Sequence, residues 1–253
     1  MVRLLLRADD LGYCEAVNYG IAKCVEDGMI RSVGLMPNMP SAAHGLRLLD
    51  GSGVCMGQHT NICLGKPCTE PEKIPSLVNG NGEFKSSREY REAYARGQDF
   101  VCLDDAVLEI EAQYHRFVEL TGSQPDYFEA HAVMSENLYR GLEIVAERYH
   151  LKYNRISPME RTGTFEGKEI AACSVKSMEP DYDPFVCLKE AVRDADQTLP
   201  NVYVCHPGYL DAYLLRTSSL TVNRTKEVEM LCDSEMKQWL KKQDVRLITY
   251  REI

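Results

Sequence analysis

Apolar runs with strand character alternate with amphipathic helical segments along most of the chain. Seven runs have the length and the β-branched or aromatic content of strands; they cover residues 3–8, 30–36, 54–59, 126–132, 152–156, 202–206 and 245–250. Segments with apolar residues every three or four positions predict the helices between them, over residues 15–27, 41–49, 103–121, 135–149, 185–195 and 223–242. The stretch 158–180 fits neither pattern.

This alternation predicts an α/β fold. Strands separated by helices indicate a parallel sheet that is covered by helices. Seven or eight such strands fit a barrel better than an open sheet, because no Gly-x-Gly-x-x-Gly motif marks a dinucleotide-binding fold. We therefore predict a (β/α) barrel with parallel strands, which need not be regular. Since no repeat or linker divides the chain, we expect a single domain over residues 1–253.

Residues 61–100 interrupt the alternation with turn-forming sequence. Gly65-Lys-Pro67, Pro71, Pro75 and Asn79-Gly-Asn-Gly82 fall in this segment. A long segment of this kind inside a compact domain is usually functional. We predict a long loop insertion here, which lies beside the site and partly covers it.

The charge balance argues against polyanionic partners. The formal net charge of −9 disfavours nonspecific binding to nucleic acid or to an anionic membrane. The first residues lack the long apolar region and cleavage site of a signal peptide, and no window approaches the roughly 20 apolar residues of a membrane span. We therefore expect a cytoplasmic protein that binds neither nucleic acid nor membrane. A homo-oligomer is expected, and a dimer is the commonest form.

The cysteines favour a structural role. Ten of them are spread along the chain without a Cys-x-x-Cys pair, which predicts buried free thiols under cytosolic conditions. Cys205 precedes His206 and suggests a Cys–His nucleophile pair. In a strand, however, Val202, Val204 and His206 share one face, whereas Cys205 points to the other. A nucleophile and its base must touch, so we interpret Cys205 as a packing residue.

Polar residues that could carry chemistry lie at the ends of predicted strands. In a parallel barrel these ends form the site, and here they carry Asp9-Asp10, His59, His131 and His206. Taken singly, the acidic pair could cap the next helix, and each histidine could be a hydrogen-bonded core residue. Adjacent carboxylates repel, however, and a bound cation or a shared proton relieves the repulsion. Imidazole and carboxylate groups on separate strands form an open metal site, and an extra carboxylate suits a general base.

Longer motifs surround these strand-end residues. They are Arg7-Ala-Asp-Asp-Leu-Gly-Tyr13 with Val17-Asn18-Tyr-Gly-Ile21, Gly57-Gln-His-Thr-Asn61 with Gly65-Lys-Pro67, and Cys205-His-Pro-Gly-Tyr209 with Asp211. These motifs resemble the YdjC-like carbohydrate deacetylases, a family that includes chitooligosaccharide deacetylases. The resemblance continues into the tail, through Ile248-Thr-Tyr-Arg251, and covers most of the chain. It implies a barrel of the glycoside hydrolase/deacetylase type with a divalent metal.

The resemblance also implies a role for each strand-end residue. Asp10, His59 and His131 would be the metal ligands. Asp9 would be the base that takes a proton from metal-bound water, and His206 the acid that protonates the leaving amine. The metal that the family implies is magnesium, although two imidazoles suit zinc or another transition metal better. The implied reaction removes an acetyl group from an N-acetylated oligosaccharide, phosphorylated or not, by hydrolysis of a linear amide bond.

One segment departs from the family's pattern. Where the family has Asp-Ser-His-x-His-x-His, this chain has Glu129-Ala-His-Ala-Val-Met-Ser135, so Val133 and Ser135 replace the later two histidines. Glu129 shares a strand face with His131, and we expect it to orient that ligand. The replacements keep open a catalytically degenerate, sugar-binding protein. A metal-dependent sugar isomerase on the same scaffold is the other alternative; it would need a second metal or a catalytic lysine.

Overall fold

A computed structural model describes residues 1–155 and 161–253, and its sheet contains nine strands in that part of the chain. They are β1 (Val2–Leu11), β2 (Ser32–Leu35), β3 (Cys55–Thr60), β4 (Tyr127–Ala130), β5 (Asn154–Arg155), β6 (Thr162–Phe165), β7 (Lys168–Ala172), β8 (Pro200–Cys205) and β9 (Val245–Ile248). Each of the seven predicted strands has its counterpart, although the end of the one predicted over 152–156 lies outside the described residues. β6 and β7 come from the stretch 158–180, whose first three residues also lie outside them.

The sheet curves almost completely into a barrel. Its hydrogen-bonded order is β4-β3-β2-β1-β8-β7-β6-β5, and β9 pairs with the amino-terminal half of β1. A bridge between Phe128 on β4 and Tyr153 beside β5 links the two ends of this order. All pairs are parallel except β5 with β6 and β6 with β7. The predicted barrel is confirmed, and this antiparallel segment is its irregular part.

Nine α-helices accompany the sheet in the described residues. They are α1 (Glu15–Glu26), α2 (Ala42–Leu48), α3 (Ser87–Ala95), α4 (Leu103–Thr121), α5 (Glu136–Tyr149), α6 (Pro184–Arg193), α7 (Ala212–Thr217), α8 (Val222–Cys232) and α9 (Ser234–Lys242). The prediction of a single helix over 223–242 is wrong, because this stretch contains both α8 and α9. Asp233 separates two helices because its side chain caps α9, accepting the N–H of Met236 at 2.5 Å.

The segment 61–100 is more ordered than the sequence predicts. A capping box formed by Ser86 and Glu89 begins α3 inside it. Its apolar side chains join a buried cluster with α4 and α5, which includes Ile62, Ile74, Leu77, Phe84, Tyr90, Ile110 and Leu142. The segment therefore packs against these two helices.

Alternation along β1 separates two cores. Leu4, Leu6 and Ala8 pack in the cluster between the sheet and the helices, whereas Leu5 faces the barrel interior. The interior cluster is largely aromatic and β-branched; it contains Tyr127, Phe165, Ile170, Val202, Ile248 and Tyr250. These side chains fill the interior as in other parallel barrels, and they leave the carboxyl ends of the strands to polar groups.

The cysteines and the helices can be compared with the predictions of free, buried thiols and of no membrane span. All ten cysteines are free, as predicted, and six of them are buried, but Cys68 and Cys102 are exposed. None of the helices in the described ranges combines the length and the apolar character that a membrane crossing requires.

Candidate active site

A β-bulge at the carboxyl end of β1 directs two neighbouring carboxylates into one site. In a regular strand, Asp9 and Asp10 would point to opposite faces. The pairing of β1 with β2 shifts between Ala8 and Leu11, and Asp10 has a φ of 76°, a value that non-glycine residues rarely adopt. As a result, Asp10 reaches His59 on β3 and His131 directly after β4, while Asp9 lines the cavity beside them.

Asp10, His59 and His131 converge at this rim of the barrel. Asp10 Oδ1 lies 3.2 Å from His59 Nε2 and 3.0 Å from His131 Nδ1, and the two ring nitrogens are 2.9 Å apart. Ligand bonds of about 2.1 Å at right angles would place donor atoms about 3.0 Å apart. The three donors therefore fit one divalent cation. Asp10 Oδ1 is buried, and its polar contacts in the described residues are the two ring nitrogens, which is consistent with three donors around one metal ion.

The charges around the three donors favour a bound cation. Burial alone would raise the pKa of Asp10, but Arg224 and His131 outweigh it and hold that pKa well below its usual value. Arg224 Nη2 donates to Asp10 Oδ2 at 2.7 Å, which leaves Oδ1 to the histidines. Burial alone would lower the pKa of both histidines, but the carboxylates beside them raise it, to about 9 for His131. The site attracts positive charge, which protons or a metal ion can supply.

Glu129 orients His59, and the prediction that it orients His131 is wrong. His59 and Glu129 are register partners on the parallel strands β3 and β4, so their side chains lie next to each other on the interior face. Glu129 Oε1 forms a hydrogen bond with Nδ1 of His59. A carboxylate on the outer ring nitrogen directs the other nitrogen toward a metal, and here that nitrogen is the one facing Asp10.

Asp9 lies beside the three donors and is anchored by an arginine. Its Oδ2 accepts from Arg7 Nη2 at 2.6 Å. Its Oδ1 is buried without a hydrogen-bond partner in the described part of the chain. Gly34 on β2 makes room for this oxygen, because a Cβ at that position would lie 2.9 Å from it. Asp9 therefore keeps one acceptor oxygen that its protein neighbours do not use.

His206 follows β8 and faces the same cavity, with Val202 and Val204. Cys205 points into the core between sheet and helices, so its interpretation as a packing residue is confirmed. The backbone N–H of His206 donates to Glu227 Oε2 at 2.5 Å, which holds the strand end in place. Burial lowers the pKa of the ring to about 4, so the imidazole is neutral near pH 7.

The arginines Arg7 and Arg224 are site residues that the sequence reasoning missed. Arg7 shares the interior face of β1 with Asp9, and the two-residue alternation carries this signal. Arg224 lies on α8, 214 residues from the carboxylate that it contacts. Local periodicity contains no information about a contact over that separation.

A cavity of about 520 Å³ opens onto these groups. Asp9, His59, His131 and His206 line it on one side, and Arg161, Cys173 and Ser174 line it near β6 and β7. Its described lining contains no residue from 61–100, so the predicted cover over the site is not observed. The volume is in the range of small-molecule sites.

Comparison with known proteins shows the family to which this chain belongs. The model of the family described as YdjC-like protein matches residues 3–242. The chain belongs to the YdjC-like family. A carbohydrate deacetylase of Geobacillus stearothermophilus is 33% identical over 98% of this chain and 96% of its own length. Carbohydrate deacetylase 2 of Listeria innocua is 30% identical over 100% of this chain and 99% of its own length.

A solved structure also shares the fold of this YdjC-like chain. It is an Enterococcus faecalis protein with a suggested role in cellobiose-phosphate cleavage, which has a TM-score of 0.80 and 23% identity and covers 99% of this chain and 98% of its own. At this identity the likeness concerns the fold alone, and it agrees with the barrel described above.

The segment that departs from the family's pattern lies at the cavity wall. Val133 is buried and lines the cavity. Ser135 instead begins α5: its Oγ accepts from the N–H of Leu138 at 3.0 Å and donates to Asp99. In this YdjC-like chain Val133 therefore forms part of the cavity wall and Ser135 caps a helix, and Asp10, His59 and His131 converge beside them.

Proposed function

We propose that this chain is a metal-dependent hydrolase that removes an acetyl group from an N-acetylated oligosaccharide. The convergence of Asp10, His59 and His131, with donor spacings that suit one divalent cation, carries the proposal. The relatives described as carbohydrate deacetylases, which match along nearly their whole length, give it further support.

Asp10, His59 and His131 are the proposed ligands. A divalent cation held there would polarise the acetyl carbonyl and acidify the attacking water, and this is worth several kcal/mol at the transition state. Magnesium is the proposed ion on family resemblance. The two imidazoles make zinc or another transition metal the alternative.

Asp9 is the proposed general base. Arg7 fixes one of its oxygens, so the unpartnered Oδ1 is available to take the proton of the attacking water. A positioned base contributes about 10²–10⁴-fold to the rate. Because the oxygen that accepts the proton is held within a rigid strand end, little reorganisation is needed when the water reacts.

His206 is the proposed acid for the leaving amine. An amine leaves poorly unless it is protonated, and the resting ring is neutral because burial lowers its pKa to about 4. The ring therefore needs a proton during the reaction, and the proton that Asp9 takes from the attacking water is the proposed source. Both side chains line the same cavity.

Acetate release from N-acetylhexosamine oligosaccharides tests the base. We expect Asp9→Asn to lower kcat by about 10²–10⁴-fold with little change in metal content, since the ligands remain. Asp50→Asn makes the same chemical change at an exposed turn and should leave kcat unaltered. An unchanged rate in Asp9→Asn would mean that the base is another group.

Substrates with different leaving groups test the acid. We expect His206→Asn to slow hydrolysis of the N-acetyl substrate far more than hydrolysis of an aryl acetate, whose leaving group needs no proton. Equal slowing of both reactions would assign His206 a binding or structural role. The same pair of substrates shows whether the wild-type enzyme prefers an amide to an ester.

The proposed substrate class includes sugars with and without a phosphate group. Arg161 is a cation in the cavity lining, where it could meet a phosphate. We expect Arg161→Ala to raise KM for a phosphorylated substrate and to leave KM for the unphosphorylated sugar unchanged. Equal effects on both would exclude recognition of a phosphate by this residue.

The same measurements separate the alternatives. A protein that binds metal and sugar but releases no acetate would be the degenerate sugar-binding form, and conversion of the sugar without acetate would indicate an isomerase. We propose the cytoplasm as the compartment, because ten free thiols fit a reducing environment. A homodimer stays a prediction, which light scattering can test.

A further inference from the structure

A second group of possible metal donors lies directly behind the first. Asp9, His59 and Glu129 are all buried, and one donor atom from each lies within 4.8 Å of the others. Two carboxylates are as many as a protein site for Mg²⁺ or Mn²⁺ commonly uses, with waters completing the coordination. Judged only by these possible ligands, the chain could hold two metal ions, one in each group, with His59 as a ligand of both.

A permanent cation already occupies this second position. Arg7 Nη2 lies 2.6 Å from Asp9 Oδ2 and 3.4 Å from Glu129 Oε2, so one guanidinium nitrogen bridges the two carboxylates. Nη1 donates to the hydroxyl of Tyr250 at 3.1 Å, and Asn154 donates to the same hydroxyl at 2.8 Å. These contacts hold the guanidinium in one place beneath the strand ends.

The count of buried charges favours a single metal ion. Three carboxylates, from Asp9, Asp10 and Glu129, face two arginines, Arg7 and Arg224. With neutral histidines this leaves one negative charge, which one divalent ion would convert to one positive charge. A second divalent ion would leave three positive charges in a buried site, and uncompensated buried charge is strongly unfavourable.

We propose that Arg7 takes the place of a second metal ion, so that its guanidinium is the fixed second cation of a one-metal centre. The first ion of this scheme rests on the proposed function; the role of Arg7 rests on its own contacts. The arrangement gives Asp9 a cationic partner that cannot dissociate. It also excludes two-metal chemistry, including the two-metal form of the isomerase alternative.

Counting bound ions tests the inference without any substrate. Wild-type protein and Arg7→Met are dialysed against Co²⁺, and the bound cobalt is measured per chain. We expect one ion in the wild type and two in Arg7→Met, because methionine removes the charge and leaves Asp9 and Glu129 free to bind. His59 Nδ1 would add a third donor if it lost its proton.

Two controls separate the position of the arginine from the loss of a buried charge. Arg7→Lys keeps a cation between the same carboxylates and should bind one ion. Arg224→Met removes the other buried arginine of the site, which contacts Asp10 and neither carboxylate of the second group, and should not exceed one ion. A second ion in Arg224→Met would attribute the effect to net charge alone. A second ion in Arg7→Lys would overturn the inference, because a cation at this position would then not exclude a metal ion.

The decisive quantity is the difference in bound Co²⁺ ions per chain between Arg7→Met and the wild type. No bound ion in the wild type would contradict the proposed metal site, whereas a difference of one ion would still support the inference about Arg7. Two ions in the wild type, or no difference, would overturn it. If Arg7→Met folds only with Co²⁺ present, the count is made on the refolded protein. Failure to fold even in excess Co²⁺ would also contradict the inference, because a bound ion is expected to replace the lost charge.

Discussion

Two glycines on neighbouring strands make room for different parts of the barrel, and substituting each by alanine should have separable effects. Gly34 on β2 lies against the site, where an added Cβ would be 2.9 Å from Asp9 Oδ1 and 3.1 Å from Cβ of His59. Gly57 on β3 lies against the floor of the interior, where a Cβ would be 2.2 Å from the ring of Tyr127. We expect Gly34→Ala to lose mainly activity and Gly57→Ala to lose mainly stability.

The distance from the added Cβ to its neighbours sets the expected loss of stability. Carbon atoms in contact normally lie about 3.5–4.0 Å apart, so Gly57→Ala demands a movement of more than about 1 Å. The Tyr127 ring cannot move that far, because it is fully buried and stacks on Tyr250 with 4.1 Å between centroids. Overpacking of this kind costs about 3 kcal/mol, which in a chain of this size lowers Tm by about 6–12 °C.

Gly34→Ala needs a shift of only a few tenths of an ångström. We expect a cost of about 1 kcal/mol, but the groups that shift are Asp9 and His59. Since a misplacement of about 1 Å in a catalytic group can cost about 10²-fold, this smaller shift should lower kcat/KM by about 5- to 10-fold, and Co²⁺ affinity should weaken with it.

Thermal unfolding, Co²⁺ titration and acetate release measure the three quantities. Gly80→Ala is the matched control, because nothing lies within 4 Å of the added Cβ there, and it should leave all three nearly unchanged. If Gly34→Ala kept full Co²⁺ affinity and activity, the assignment of Asp9 and His59 to the site would be wrong. Equal losses of stability in both variants would refute the packing argument.

Three further variants test single interactions. Glu129→Gln should weaken Co²⁺ binding by about 10–100-fold in a calorimetric titration, because the carboxylate that orients His59 is lost; unchanged affinity would contradict this. Burial raises the pKa of Glu227 from 4.5 to about 7, so the stability linked to that shift is complete below about pH 4.5 and is lost as the pH rises through 7. Glu227→Gln should therefore gain about 2–3 kcal/mol on the wild type between pH 5 and 8 in urea melts, and parallel pH profiles would refute it. Ala132 has a φ of 49°, so Ala132→Val should lose about 1–2 kcal/mol in thermal unfolding whereas Ala132→Gly should not; equal stability would argue against strain at this position.

Local pattern alone predicted the barrel and the strand ends that form the site. The alternation of strands and helices indicates a parallel sheet because each amphipathic helix must cover a face of that sheet. The two-residue period also placed Cys205 and His206 on opposite faces of their strand, and the structure shows Cys205 in the core beside the helices and His206 at the cavity. These predictions succeeded because side-chain direction in a strand follows from the backbone of that strand.

Contacts between distant segments decided the rest. A bulge against β2 turns Asp10 toward the histidines, although a regular strand would point it away. The register of β3 against β4 pairs Glu129 with His59, and the fold brings Arg224 from α8 to Asp10. Sequence periodicity describes one element at a time, whereas bulges, register and long-range ion pairs depend on two elements packing together. The chain alone therefore predicted the acids and histidines at the strand ends. Only the tertiary structure brought Arg7 and Arg224 to them and decided which atoms of these residues face each other.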